Sequence, residues 1–304
     1  MRRLSSHFRR SAAFEAYLAP AQAFPALWRL LLGLICIALS VLCTGLAVGV
    51  VGWFLEYDQA ATTAFLRLTT PIGAILVLGS FSTWLIGLWL AARIIHRRRL
   101  RSLVGPINSI RLPRYAAGAG GALTLSAIGL LIYAAAFDAP IAWGKPPGVW
   151  VLAAVAALPA IFVQTAVEEM AFRGYLTQQL AVRFRSAWVW AGAPSLLFGL
   201  LHWNPAGYGD VALAVVFVTG LTGLAFTAIT VRTGDLSTAM GAHFGLNVFA
   251  LTIVSPANYA SGLAYWRWPA DQAVMSRLIW FELSAIALIL LAAAVIFRPS
   301  PPAG

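Results

Sequence analysis

VWVLAAVAALPAIFVQTAVEEMAFR, residues 149–173, decides how the rest of the chain is read. The stretch is uncharged from Val149 to Val167 and then places Glu168, Glu169 and Arg173 inside the same apolar run. The whole chain has only ten acidic residues among 304, so two adjacent ones here stand out. An ionisable side chain in the middle of a hydrophobic span costs several kcal/mol even after snorkelling, and by default it marks a site. On a helix, Glu169 and Arg173 stand four apart on one face and can pair, whereas Glu168 is rotated by about 100° and points elsewhere. The spacing therefore predicts a structural Glu169–Arg173 pair and leaves Glu168 for chemistry.

Composition makes that run one of several. Hydrophobic residues are 61% of the chain and charged residues 10%, with a mean hydropathy of +0.82. These values lie outside the range of soluble domains and predict a polytopic membrane protein. The net charge of +11 is carried almost wholly by arginine, clustered in short loops beside apolar runs. There it reports orientation and contact with anionic lipid, and nucleic acid is not an expected partner. Cys36 and Cys43 stand seven apart in one predicted helix, about 10 Å between α-carbons, too far to bridge. The run after the charged opening MRRLSSHFRR is too long for a signal-peptide core and reads as a retained first span.

Apolar runs long enough to cross about 30 Å of hydrocarbon give about eight transmembrane helices. They fall at 26–55, 71–92, 115–137, 149–182, 187–202, 211–231, 237–254 and 273–297. The expected fold is an all-α polytopic helical bundle. Arginines before the first span and after the second, fourth, sixth and eighth all fall on one side; the other side holds only Arg67, Lys145, Arg267 and Arg277. The positive-inside rule then puts both termini in the cytoplasm, with the chain in a bacterial inner membrane. The basic loop Arg93 to Arg114 divides the chain into an N-terminal part, 1–114, with two spans, and a bundle, 115–297, that holds every candidate site residue. A Pro-rich tail, 298–304, reads as disordered.

Further polar residues sit where hydrocarbon is expected. His202 ends the fifth span, four residues after Phe198; His243 opens the seventh, with Asn247 four residues on and on the same face. His7 and His96 sit among arginines and read as solvated or lipid-facing. Gly192, Gly199, Gly220, Gly223, Gly241 and Gly245 surround the buried pair, and small residues let membrane helices approach closely enough to gather three spans round one pocket. Gln164 and Thr165, one turn before the glutamates, line that pocket or satisfy a neighbour, and Phe198 packs.

A carboxylate shielded from water suits a general base, and an imidazole can share its proton. A second imidazole and an amide can donate to a developing oxyanion. No serine or cysteine stands in a nucleophile motif, so water is the expected attacker. One glutamate with two histidines also resembles a zinc set, although the HExxH spacing is absent, and a metal such as zinc stays open. A proton-coupled transporter would use the same residues as a relay, but it would show repeated halves, which this chain lacks. A non-catalytic immunity or scaffold protein would keep the cluster for stability alone.

Glu168-Glu169 with Arg173 (EExxxR), Phe198 with His202 (FxxxH) and His243 with Asn247 (HxxxN), in that order on separate spans, resemble the three motifs of the CPBP intramembrane proteases. That family takes in the CAAX prenyl proteases and the bacteriocin-processing or Abi proteins, and the resemblance covers about residues 115–255. It implies a CAAX-protease-like core and a glutamate-dependent endopeptidase acting on a peptide or membrane-protein substrate. By resemblance, Glu168 is the water-activating base with His202 beside it, His243 and Asn247 form the oxyanion site, and Glu169 and Arg173 hold the motif helix. No cofactor is implied.

Overall fold

The computed structural model describes residues 11–54, 58–137, 141–269 and 273–281. The charged opening, most of the eighth expected span and the Pro-rich tail lie outside them.

Apolar sequence, with few caps needed inside hydrocarbon, makes this a helical molecule. Helix α1 is Ala12–Leu18, begun by Ser11, whose hydroxyl accepts from the Phe14 amide at 3.1 Å. Helix α2 is Leu27–Phe54, α3 Gln59–Leu66, α4 Pro71–Ile95, α5 Leu112–Ala136 and α6 Pro147–Arg183. After these come α7, Trp188–Leu200, then α8, Pro205–Thr233, whose opening turn is interrupted at Gly209. Last is α9, Ser237–Val248, which runs on as a π turn over Phe249–Ile253. Residues 273–281 are again helical.

Among the described residues, α2, α4, α5, α6 and α8 are long and apolar enough to cross a membrane, and α7 is a shorter apolar helix. With large side chains such as Leu31, Leu46, Trp53, Leu131 and Leu152 turned outward, this is the surface of an integral membrane protein. Pro159 does not end α6, which continues past it to Arg183. One feature is absent from an all-helical reading of the sequence. Short strands β1 (Ala142–Trp143), β2 (Val254–Pro256) and β3 (Trp266–Trp268) form a three-stranded patch ordered β1–β3–β2, with β3 antiparallel to β1 and parallel to β2.

Small residues set which helices meet. Gly118 of α5 lies against the Thr238 carbonyl and 2.9 Å, measured from an added Cβ, from the Ala242 amide; Gly241 and Gly245 of α9 face the Tyr115 and Ala119 carbonyls. Backbone touches backbone there because no side chain intervenes. Asp235 joins the ends of three helices: its carboxylate accepts from the Ser237 amide at 2.9 Å and from Arg114 Nη1 at 2.5 Å, with Arg111 Nε at 3.5 Å.

The main core runs across the boundary at residue 114. Phe14, Tyr17 and Leu18 of α1, Leu30 and Ile37 of α2, Leu88 of α4 and Leu103 pack with Val167, Phe172, Tyr175, Phe198 and Met240. His96 belongs to the same interior, which corrects its reading as solvated: it is 2% exposed. Its Nδ1 lies 3.2 Å from the Phe24 carbonyl, which only accepts, so Nε2 accepts from the Tyr175 hydroxyl at 2.9 Å. Burial, with Arg98 nearby, pushes its pKa from 6.5 down to about 4.

Two outcomes follow. Gly118→Ala is expected to cost about 1–3 kcal/mol by overpacking, whereas Gly120→Ala, with open space on the same helix, costs nothing; unfolding in detergent compares them. Neutral His96 contributes stability that is present above pH 6.5 and is lost as pH falls toward about 4, because the unfolded state binds the proton first. Unfolding measured over that window should therefore be steeper in pH for the parent than for His96→Gln, and equal slopes would remove the assignment.

Candidate active site

The two glutamates close the regular part of α6, and from Met170 to Thr177 the same helix widens into π-type hydrogen bonding. Such widened turns are uncommon and concentrate at functional sites. Glu169 is fully buried, Arg173 1% exposed, His243 4% and Glu168 6%. Arg173 Nη1 donates to Glu169 Oε1 at 3.0 Å, and His243 Nδ1 lies 2.9 Å from that same oxygen. His243 Nε2 faces Glu168 Oε2 at 3.7 Å. One imidazole thus stands between both carboxylates.

One turn away the pairing repeats. Asn247 Nδ2 donates to Gln164 Oε1 at 2.8 Å. Glu168 opposite His243, and Gln164 opposite Asn247, means that α6 and α9 run antiparallel with two polar layers stacked along their contact. Thr165 turns back onto its own helix, donating to the Ile161 carbonyl at 2.9 Å.

Aromatic rings enclose the charges. Arg173 Cζ lies 4.6 Å from the centre of the Phe198 ring, 5.5 Å from Phe226 and 5.8 Å from Phe172. Those ring faces attract the guanidinium where water is excluded. Phe226 and Phe198 also contact His243, at 5.3 and 5.9 Å between centres. Gly223 leaves room for the head group, since a Cβ there would come within 2.9 Å of Arg173 Nη2.

His202 sits half-buried just past the end of α7. Its Nδ1 is 2.8 Å from the Phe198 carbonyl, so that nitrogen donates and Nε2 keeps its lone pair. Its ring lies 4.9 Å from that of Phe198, which thus touches both imidazoles. No hydrogen bond or ion pair joins His202 to Glu168 among the described residues; the imidazole facing Glu168 is that of His243. Glu169, read from spacing as a partner of Arg173, serves His243 as well. Asn247 is engaged by Gln164, which the sequence left either lining the pocket or satisfying a neighbour. Phe226 had no role in the sequence reading, and Gly223 was read only as one of the small residues that let helices approach; their places on one face of α8 become meaningful once that helix packs against Arg173.

Buried Glu168 Oε2, Glu169 Oε2 and Arg173 Nη2 make no hydrogen bond within the protein. They give the site acceptors and a donor for a bound group. Among the described residues no group of three or more His, Cys, Asp or Glu is placed to hold a metal ion. The shared oxygen of Glu169 is already taken by a guanidinium and an imidazole, so these residues do not fit a zinc centre.

Residues 149–249, which contain all of these groups, match the family described as type II CAAX prenyl endopeptidase Rce1-like. The uncharacterized protein YyaK of Bacillus subtilis (strain 168) is 29% identical over 181 residues, 58% of this chain and 59% of that protein. The match therefore spans about three-fifths of that relative's length. No solved structure matches the chain. The matched family is one of CAAX-type endopeptidases, which are hydrolases, and the resemblance to CPBP proteases carried by the three motifs is the same relationship. Residues 149–249 are thus similar to the Rce1-like type II CAAX prenyl endopeptidases.

Proposed function

We propose that the chain is an intramembrane, glutamate-dependent endopeptidase that hydrolyses a peptide bond of a membrane-associated protein or peptide, with prenylated CAAX-like ends among its substrates. The observation that carries this reading is the buried run Arg173–Glu169–His243–Glu168, in which each charged group orients the next. The arginine distribution supports cytoplasmic termini in a bacterial inner membrane, where a substrate arrives from the cytoplasm or from the bilayer.

Glu168 is the base. Its Oε2 has no hydrogen bond within the protein, and the 3.7 Å to His243 Nε2 exceeds a direct hydrogen bond. Glu168 takes a proton from an attacking water as the oxygen bonds to the scissile carbonyl carbon, and the carbonyl oxygen becomes an oxyanion. Collapse of that intermediate breaks the carbon–nitrogen bond, and the proton held by Glu168 leaves on the amine. His202, with Nε2 unprotonated, can relay that proton.

Charge bookkeeping indicates how His243 serves. Two carboxylates face one guanidinium, so an imidazole carrying both protons brings the buried group to neutrality. Nδ1–H then donates to Glu169 and Nε2–H points toward the reacting region as an oxyanion donor. Asn247 spends one amide hydrogen on Gln164 and keeps a second for the same task. Glu169 and Arg173 hold the imidazole and do not touch the reacting atoms.

The parent protein, reconstituted in liposomes with prenylated and unprenylated peptides, should release cleavage products. Glu168→Gln and His243→Ala should each lower the rate by at least about a hundredfold while the protein stays folded. Full activity in both variants would defeat the reading. Glu169→Ala is expected to fail differently. It leaves a buried guanidinium unpaired, costs about 3–5 kcal/mol of stability, and should show first as lost folded yield.

A further inference from the structure

Tyr17 lies in α1, well outside the segment 149–249 that matches the family, and it is fully buried. Its hydroxyl faces two backbone carbonyls, that of Arg173 at 3.0 Å and that of Leu103 at 3.1 Å, and shares its one hydrogen between them. The first is the backbone of the residue whose guanidinium holds Glu169, and Glu169 in turn holds His243. The second belongs to the turn Leu100–Leu103, which lies directly on the widened part of α6. A Cβ on Gly174 would come within 2.9 Å of the Leu103 oxygen, so no side chain separates the two backbones.

Helix α1 is itself held from several directions. Phe14 packs on Trp190 at 5.4 Å between ring centres, and Ser11 Oγ donates to the Val231 carbonyl at 3.3 Å. Gly234, with φ of 70°, brings the end of α8 against the Ala13 carbonyl, where a Cβ would stand 2.6 Å away. Burial raises the Tyr17 phenol well above its ordinary pKa, so it remains a donor at any pH at which the protein is folded.

We infer that Tyr17 is a positioning residue for hydrolysis: by pinning the Arg173 carbonyl within the π-helical turn, it sets the guanidinium that aims Glu169 and His243. The inference rests on the endopeptidase reading. A π turn departs from the regular i to i+4 ladder, so its exact course depends on what grips it from outside. Tyr17 and Leu103 supply that grip from the N-terminal part of the chain. Tyr17 and the turn Leu100–Leu103 are on this account part of what positions the catalytic groups, although the family match does not include them.

The test compares full-length parent, Tyr17→Phe, Phe14→Leu and Glu168→Gln, reconstituted in liposomes, on a peptide that the parent cleaves. Tyr17→Phe keeps the ring and its packing. It should lower kcat about tenfold with KM unchanged. Phe14→Leu loosens α1 without touching either carbonyl, and it should lower the unfolding temperature while kcat per folded molecule stays at the parent value. If Tyr17→Phe is not recovered folded, Gly174→Ala asks the same question by forcing Leu103 off the π turn, and it should lower kcat likewise. Parent-like kcat in whichever of these two variants is folded overturns the inference and leaves the endopeptidase reading intact. Parent activity no greater than that of Glu168→Gln overturns the reading itself.

Discussion

Glu169 and Arg173 are both fully inside an apolar bundle, joined at 3.0 Å, and the surrounding structure is arranged to make that tolerable. Removing two charges from water carries a penalty that their attraction repays only when geometry is good and the remaining donors and acceptors find partners. Three aromatic rings face the guanidinium, and a glycine on α8 leaves it space. His243 takes the second place on the same carboxylate oxygen. The neighbours of the pair come from α7, α8 and α9 as well as from α6 itself, so the pair fixes how these four helices meet.

That constraint leads to the chemistry. An imidazole hung on Glu169 has one nitrogen committed and the other aimed at Glu168. Two adjacent glutamates thereby acquire different surroundings. One oxygen of Glu169 is engaged by both Arg173 and His243, whereas Glu168 faces His243 at 3.7 Å, beyond a direct hydrogen bond. The amide pair Asn247–Gln164, one turn farther along the same contact, extends the polar strip without adding charge.

Packing without side chains makes the strip possible. Between α5 and α9, and again where Gly199 of α7 meets the Val216 carbonyl of α8, glycines bring backbones together, which the hydrophobic effect cannot do among lipid-facing helices. The N-terminal helices share this interior. Tyr17 and Leu103 close over the widened turn of α6, and Phe14, Leu30, Ile37 and Leu88 share one core with residues of α6, α7 and α9.

By itself the sequence determined that the chain lives in a membrane, which apolar run carries the buried carboxylates, and that Glu169 and Arg173 stand on one helical face. All of this follows from local regularities, namely composition over long runs and a fixed rotation per residue. It also supplied His243 and Asn247 as neighbours on one face, within the segment 149–249 that resembles the Rce1-like family. Only the tertiary structure decided that His243 faces Glu168, that Asn247 meets Gln164, that His96 is buried, and that Tyr17 reaches Arg173 across 156 positions. Those contacts depend on the rotation and depth of one helix against another. That relation is set by glycines, rings and a buried charge pair acting together, and no single stretch of sequence contains it.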